Sequence, residues 1–246
     1  MEPLVVVPTY NEAANIDPLL DRLLALDANL NVLVVDDGSP DGTGELVRRR
    51  AGERVHLHER ASKQGLGRAY VAGFRWGLDR GFTHLVEMDA DFSHDPAAVL
   101  TLLEAAGDCD IAIGSRYVPG GAVEGWSRPR LVLSRAGNLY ARMLLGFPVR
   151  DSTSGFRCYR RGVLESIDLD GVASEGYAFQ IDLTYRAWRR GFSIREVPIL
   201  FRERERGQSK MSRRIVAEAM RSVTAWGLRD LGRRRPRTGT QTAARP

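Results

Sequence analysis

Four carboxylates crowd into residues 87–95: Glu87, Asp89, Asp91 and Asp95, with Ser93 and His94 among them. The run before them, residues 84–89, predicts a buried strand, and residues 96–106 repeat apolar side chains at helical spacing. Side chains alternate along a strand, so Asp89 and Asp91 share a side and Ala90 turns away. Two carboxylates at a strand end suit a hard divalent cation, Mg2+ or Mn2+, which binds one or two carboxylates together with substrate phosphates. A pattern this short also fits a solvated loop, with Ser93 and His94 as candidate third ligands or as plain surface. Asp95 before Pro96 reads as a helix cap. Glu87 reads as structural.

A second acidic strand end, "VVDDGSPDGT", carries Asp36 and Asp37 on opposite sides. One can meet a ligand while the other braces the loop, and Asp41 reads as the cap of the next helix. An acid after the second strand suits hydrogen bonding to a ribose or a base edge. The turn after the first strand, "VPTYNEAAN", has neither GxGxxG nor GxxxxGK[ST], which argues against a dinucleotide enzyme and a P-loop NTPase.

The elements that must position these residues follow from periodicity. Residues 4–8, 31–37, 55–59, 84–89 and 110–115 read as strands; 12–27, 42–51, 66–80 and 96–106 read as helices between them. Repeated β-α units predict an α/β fold, a mostly parallel central sheet with helices on both faces. Ligands of such sheets bind beyond the carboxyl ends of the strands. That edge gathers "PTYNE", "DDGSPDGT", "DADFSH" and "GSRYVPGG". Beyond Gly121, residues 131–145 and 176–190 read as helical, with "STSGFRCYR" and "SIREVPILFRE" as strands. His56 and His58 read as structural, and Trp126, Tyr140 and Trp188 as packing residues.

At 246 residues the chain can bury a full core, and its composition is that of an ordinary globular protein. Cys109 and Cys158 form no CxxC pair, which argues against a disulfide framework or zinc site and fits a reducing compartment. No signal peptide is visible at the N-terminus, and no stretch reaches the apolar length of a membrane span. Residues 202–246 carry 13 Lys/Arg against 4 Asp/Glu, a balance of +9, whereas residues 1–201 balance to −4. The basic end favours an anionic partner.

Together "VVVPTYNE", "VVDDGSPDGT", "KQGLGRAYVAGF", "MDADFSHDP" and "IAIGSRYVPGG" resemble the inverting family-2 glycosyltransferases of GT-A fold, closest to the polyprenyl-phosphate (dolichyl-phosphate) mannosyltransferases. The resemblance extends through "GWSRPRLVLSRAGN", "DSTSGFRCYRR", "EGYAFQIDL" and "VPILFRERERGQSKM", over roughly residues 3–211. It implies that Pro8, Tyr10, Glu12, Val35 and Asp37 hold the guanosine end of GDP-mannose. Asp89 and Asp91 would hold the metal, with the Ala90 backbone nearby; Ser93 stands where the family often has Gln. Arg204 and Lys210 match positions that hold the leaving diphosphate, and Arg116, Arg130 and Ser134 match those that hold the acceptor phosphate. Glu203 replaces a usual Asp and reads as structural; Asp182 has no assigned role.

The implied acceptor is polyprenyl phosphate in a membrane, and no nucleic acid is implied as a partner. The expected place of work is therefore the cytoplasmic face of a membrane, as a peripheral protein. The organisation expected is a catalytic domain over 1–211, a basic amphipathic helix over 212–231 and a disordered basic tail over 232–246. The helix, with Ile215, Ala219, Val223 and Trp226 on one side, either lies on an anionic leaflet or packs on the domain. A separately encoded membrane partner is a further option. Competing readings are a UDP-glucose or other nucleotide-sugar donor, and a noncatalytic nucleotide-sugar or nucleic-acid binding module.

Overall fold

The computed structural model describes residues 1–172, 176–203 and 213–230. Short β-branched runs with apolar side chains on both sides cannot face water, so β1 (Pro3–Thr9) enters the sheet at once and is followed by α1 (Ala13–Leu24). Then come β2 (Asn31–Asp36), α2 (Thr43–Arg50), β3 (Val55–Glu59), α3 (Leu66–Asp79), β4 (His84–Glu87), α4 (Ala98–Ala106) and β5 (Ile111–Ser115). The second part adds β6 (Ala122–Glu124), α5 (Arg128–Leu145), β7 (Arg157–Arg160), α6 (Arg161–Ser166), α7 (Gly176–Arg189), β8 (Ile194–Pro198), β9 (Leu200–Arg202) and α8 (Arg213–Arg229).

Seven strands form one sheet in the order β3-β2-β1-β4-β7-β5-β8, while β6 and β9 pair separately. The sheet is parallel except for β7, which runs antiparallel to both β4 and β5. After β5 the chain stays on the carboxyl side to build β6 and α5, then re-enters the sheet from that side, Arg157 opposite Glu87. A strand that returns from the edge it left must be antiparallel. "SIREVPILFRE" is not one strand: it breaks around Pro198 and Ile199, β8 pairing with β5 and β9 with β6. Proline has no N–H to extend the first ladder. Neither the short β6 nor α6 has a periodic signal long enough to read from sequence.

One core lies under α3, α5, α6, α7 and α8, with Leu4, Val6, Leu33, Val35, Leu85 and Ile113 from the sheet. The other lies under α1, α2 and α4, with Val5, Val7, Val32, Val34 and Val86. Residues adjacent in a strand thus feed opposite cores. Helix α3 sits directly on the sheet because Gly73 and Gly77 face it: a Cβ at Gly73 would come within 2.4 Å of Val6 Cγ1. Asp41 ties two helix starts, accepting from Ala13 N and from Thr43 N, both at 3.0 Å. Asp95 accepts from Ala97 N in the turn that leads into α4. Both cysteines are free and buried.

Helix α8 uses its apolar stripe on the domain. Ala219 and Val223 are buried, Trp226 packs on the first core, and Gly227 meets Leu144 of α5. Tyr140 and Thr224 hydroxyls bond at 2.6 Å, and Tyr185 donates to Asp230 at 2.7 Å. Of the two readings of this stripe, packing on the domain is therefore the one observed. Residues 231–246, and with them the basic tail, lie outside the described residues. No helix among the described residues is long and apolar enough to cross a membrane.

Candidate active site

A cavity of about 370 Å³ opens along the carboxyl edge, from the end of β2 across β1 and β4 to β5. Pro8, Tyr10, Glu12, Asp37 and Lys63 line one end; Asp89, Ala90 and Asp91 line the middle; Arg116, Trp126, Arg130, Thr153, Tyr177, Gln180 and Phe201 line the other. Parallel strands deliver three of these segments side by side, because every β1, β2 and β4 chain leaves the sheet on the same side.

The two neighbouring acids after β2 divide their work. Asp36 turns inward and is held by Thr9 Oγ1 at 2.7 Å, Ser39 N at 2.9 Å and Ser39 Oγ at 2.6 Å. Asp37 faces the cavity and pairs with Arg60 at 2.9 Å. Burial pushes its pKa up, and the Arg60 charge opposes that shift. Lys63 stands over the Tyr10 ring at 4.3 Å, a cation on this end that the sequence reading passed over. Val35 differs from its neighbours: its side chain is fully buried under α3, so any ligand contact must come from its backbone.

Asp89 and Asp91 both reach the cavity, half-buried and buried respectively. Tyr70 donates to Asp89 Oδ1 at 3.4 Å, and Asp91 Oδ1 accepts from Ser93 N at 3.0 Å. Burial and the nearby Asp89 raise the Tyr70 pKa, so the phenol keeps its proton and stays a donor. Phe92, just after Asp91, adopts a φ of 58°, a left-handed residue in the turn that follows β4. Among the described residues no third His, Cys, Asp or Glu joins the pair. Two carboxylates and no nitrogen or sulfur ligand fit a hard cation whose remaining positions go to phosphate oxygens and water. Ser93 is buried, its hydroxyl lacks a hydrogen-bond partner, and it is not on the cavity wall.

His94 is not a solvated loop residue. It is 3% exposed, stacks on Phe156 at 4.8 Å and meets Phe201 edge-on at 5.2 Å. Burial, assisted by the Arg116 charge, pushes its pKa down to about 4, so the ring is neutral at ordinary pH.

The far end rests on buried pairs. Arg116 donates from Nε and Nη2 to both oxygens of Asp151, at 2.7 and 2.6 Å, and to Thr153 Oγ1 at 3.0 Å. Burial alone would lower the Arg116 pKa, but the carboxylate more than offsets it and the net shift is upward. Arg130 pairs with Glu203 and lies 4.2 Å over the Trp126 ring. Trp126 is thus a wall of the cavity as well as a packing residue. Ser134, one turn after Arg130 on α5, accepts from the Tyr117 hydroxyl at 2.7 Å but does not line the cavity. Asn138 locks α5 to the loop beneath, donating to Thr153 Oγ1 and accepting from Ser152 Oγ. Arg204 and Lys210 lie outside the described residues.

Below the acids sits a buried polar layer. Glu87 is fully buried opposite Arg157, and burial pushes its pKa up to about 8 although Arg157 opposes that. Arg157 donates to the carbonyls of Ser152, Ser154 and Gln180. Gln180 lines the cavity with its amide buried beside Glu87, and its hydrogen bond opposes the rise of the Glu87 pKa. Asp182 faces away and pairs with Arg186 at 2.6 Å, a link within α7. Asp151 and Thr153 carried no separate signal, because Arg116, the side chain they hold, is 35 and 37 residues away.

Comparison with known proteins gives the family and the fold. Residues 4–168 match the model of the Glycosyl transferase family 2. The chain is 55% identical over 230 residues to the polyprenol monophosphomannose synthase of Mycolicibacterium smegmatis, covering 92% of this chain and 87% of that one. It is 52% identical over 230 residues to the undecaprenyl-phosphate mannosyltransferase of Micrococcus luteus, covering 93% and 95%. Among solved structures, glucosyl-3-phosphoglycerate synthase of Mycobacterium tuberculosis, bound to Mn2+, UDP and glucosyl-3-phosphoglycerate, shares the fold with a TM-score of 0.67. It is 21% identical, over 94% of this chain and 80% of that one. A Pyrobaculum calidifontis mannosyltransferase bound to GDP-Man and Mn2+ gives 0.54 at 18% identity, over 95% and 76%. With two thirds of its length under the family model and relatives above 50% identity, the chain, of GT-A fold, belongs to glycosyl transferase family 2.

Proposed function

We propose that this glycosyltransferase moves mannose from GDP-mannose to polyprenyl phosphate, with inversion at the sugar. The observation that carries the reading is one cavity with a carboxylate pair between a nucleotide-sized polar end and an arginine pair. Relatives named for mannose transfer to polyprenol and undecaprenyl phosphate support it.

In this reading Pro8, Tyr10, Glu12 and Asp37 receive the nucleoside, with the Val35 backbone beside them, and Lys63 adds a positive charge at that end. Asp89 and Asp91 hold Mg2+ or Mn2+, which when bound supplies positive charge to the leaving diphosphate. Arg204 and Lys210 would add to that charge. Arg116, fixed by Asp151, and Arg130, held between Glu203 and Trp126, orient the acceptor phosphate, with Ser134 bracing the same helix. An acceptor oxygen forms a bond to the anomeric carbon as the bond to GDP breaks, and the bonding pair leaves with the diphosphate. A phosphate monoester has a second pKa near ~6, so it arrives as its own nucleophile and needs no base. The neutral, buried His94 suits that: it offers no titrating group near pH 7. The enzyme would work as a peripheral protein at the cytoplasmic membrane face, alone or beside a separate membrane partner.

The test is transfer of labelled sugar into organic-extractable lipid from a panel of GDP and UDP sugars, with and without EDTA. Labelled lipid only from GDP-mannose, abolished by EDTA and restored by Mg2+ or Mn2+, is expected. Preferred transfer from UDP-glucose would replace the donor, and activity unchanged by EDTA would remove the metal.

A further inference from the structure

Helix α5 has a solvent face that the catalytic reading leaves unused. At 100° per residue, Val132, Ala136, Leu139 and Met143 fall within about 60° of arc. All four are exposed, Val132 at 66%, Leu139 at 49% and Met143 at 65%. Beside this stripe runs a second row, Arg128, Arg135 and Arg142, spaced by seven residues. None of the ion pairs among the described residues uses these three arginines, and α5 contains no Asp or Glu. Arg130 and Ser134 lie on the opposite side of the same helix, toward the arginine end of the cavity. Next to the arginine row, an open cleft of about 460 Å³ is lined by Tyr117, Arg135, Asn138, Leu139, Arg142 and Arg150.

We propose that this face of α5 docks on an anionic lipid leaflet, its apolar stripe at the acyl boundary and its arginine row on the phosphates. The inference rests on the lipid-phosphate reading of the acceptor. An exposed apolar stripe flanked by arginines has the composition of an interfacial helix, and a soluble surface rarely leaves such a stripe uncovered. Charge chooses the occupant: a second copy packed α5 against α5 would bring two arginine rows together, whereas anionic headgroups neutralise them. Position agrees, because a leaflet on this face lies one helix diameter from the acceptor end of the cavity. A lipid phosphate could then enter while its chain stays in the membrane. Helix α8 is the weaker candidate, since its stripe is already spent on the domain.

The test is flotation of the full chain with vesicles of phosphatidylcholine, alone or mixed with phosphatidylglycerol, in the absence of acceptor and donor. The wild type is expected to float with the anionic vesicles and less so as salt rises. Val132→Asp with Met143→Asp should weaken binding at least roughly tenfold, whereas Leu228→Asp, on the exposed side of α8, should not. Should the double variant misfold, Arg135→Gln with Arg142→Gln keeps the apolar stripe and should still remove most of the salt-sensitive binding. The Val132/Met143 variant should also keep transfer to a short, water-soluble prenyl phosphate while losing it to a long acceptor in vesicles. No flotation of the wild type, a change under twofold in the variants, binding only through an added membrane protein, or a dimer that Val132→Asp dissociates would each overturn the proposal. Vesicle binding by a wild type that glycosylates neither acceptor would sink the acceptor reading and leave the surface standing.

Discussion

The two ends of the cavity are built differently. The nucleotide end comes from consecutive β-α units, and each of its residues sits within a few positions of a strand end: Pro8 to Glu12 at β1, Asp37 after β2, Asp89 and Asp91 after β4. The arginine end is assembled from β5, α5, the turn before β7, α7 and β9, through contacts such as Arg116–Asp151 and Arg130–Glu203. Both ends use pairs distant in sequence, such as Asp37–Arg60 and Arg116–Asp151, but one end repeats a single strand-end device while the other is assembled once from unlike elements. Removing a buried partner should therefore cost stability at either end but disturb only the substrate bound at that end.

The largest effect expected lies where the ends meet. Asp91→Ala should cut turnover by roughly 10³-fold or more with an unchanged melting profile, since it removes one of two carboxylates placed for the ion. Near-normal turnover would take Asp91 out of the metal site. Next comes Asp151→Asn, which keeps shape but strips the charge that fixes Arg116. Breaking a buried pair costs about 3–5 kcal/mol, so Tm should fall. The KM for acceptor should rise with the donor KM unchanged, a split that a merely structural residue would not produce. Equal changes in both would erase the distinction between the ends. Asp37→Asn should do the reverse, raising the donor KM about tenfold with the acceptor KM unchanged, and because its pair with Arg60 is also buried, Tm should fall here too.

The smallest effect concerns pH. His94 has a folded pKa of about 4 against an ordinary 6.5, so the folded state resists protonation. Its contribution is complete above pH ~6.5 and is lost as pH falls toward 4, on the order of 2–3 kcal/mol. Glu87, raised to about 8, acts in the opposite sense: its contribution is greatest below its ordinary value of 4.5 and declines as pH rises toward 8. Because Glu87 opposes His94 over the same window, the difference is the readout: the urea midpoint of His94→Phe relative to the wild type should fall as pH rises from 4 to 7. A difference that does not change with pH would mean that His94 takes up its proton alike in the folded and unfolded chain.

The same asymmetry governs what could be read from the chain. Alternation of apolar strands and 3–4 spaced helices was enough for the α/β architecture and for the edge where ligands bind, because strand and helix periods are local properties. Period two put Asp89 and Asp91 on one side, but β4 ends at Glu87 and both lie in the turn beyond it, where Ala90 lines the cavity with them. The opposed facing of Asp36 and Asp37 matched their adjacency. Periodicity reports which side of an element is apolar; it cannot report what covers that side. Hence the stripe of α8 could equally have met lipid, and only packing against α5 and α7 decided that it does not. The exposed stripe of α5 is the converse, a face left bare by tertiary structure. Burial of His94, pairing of Arg116 with Asp151 across 35 residues, and reversal of β7 were likewise decided by the fold. Desolvation and long-range pairing depend on neighbours that the linear order does not place together.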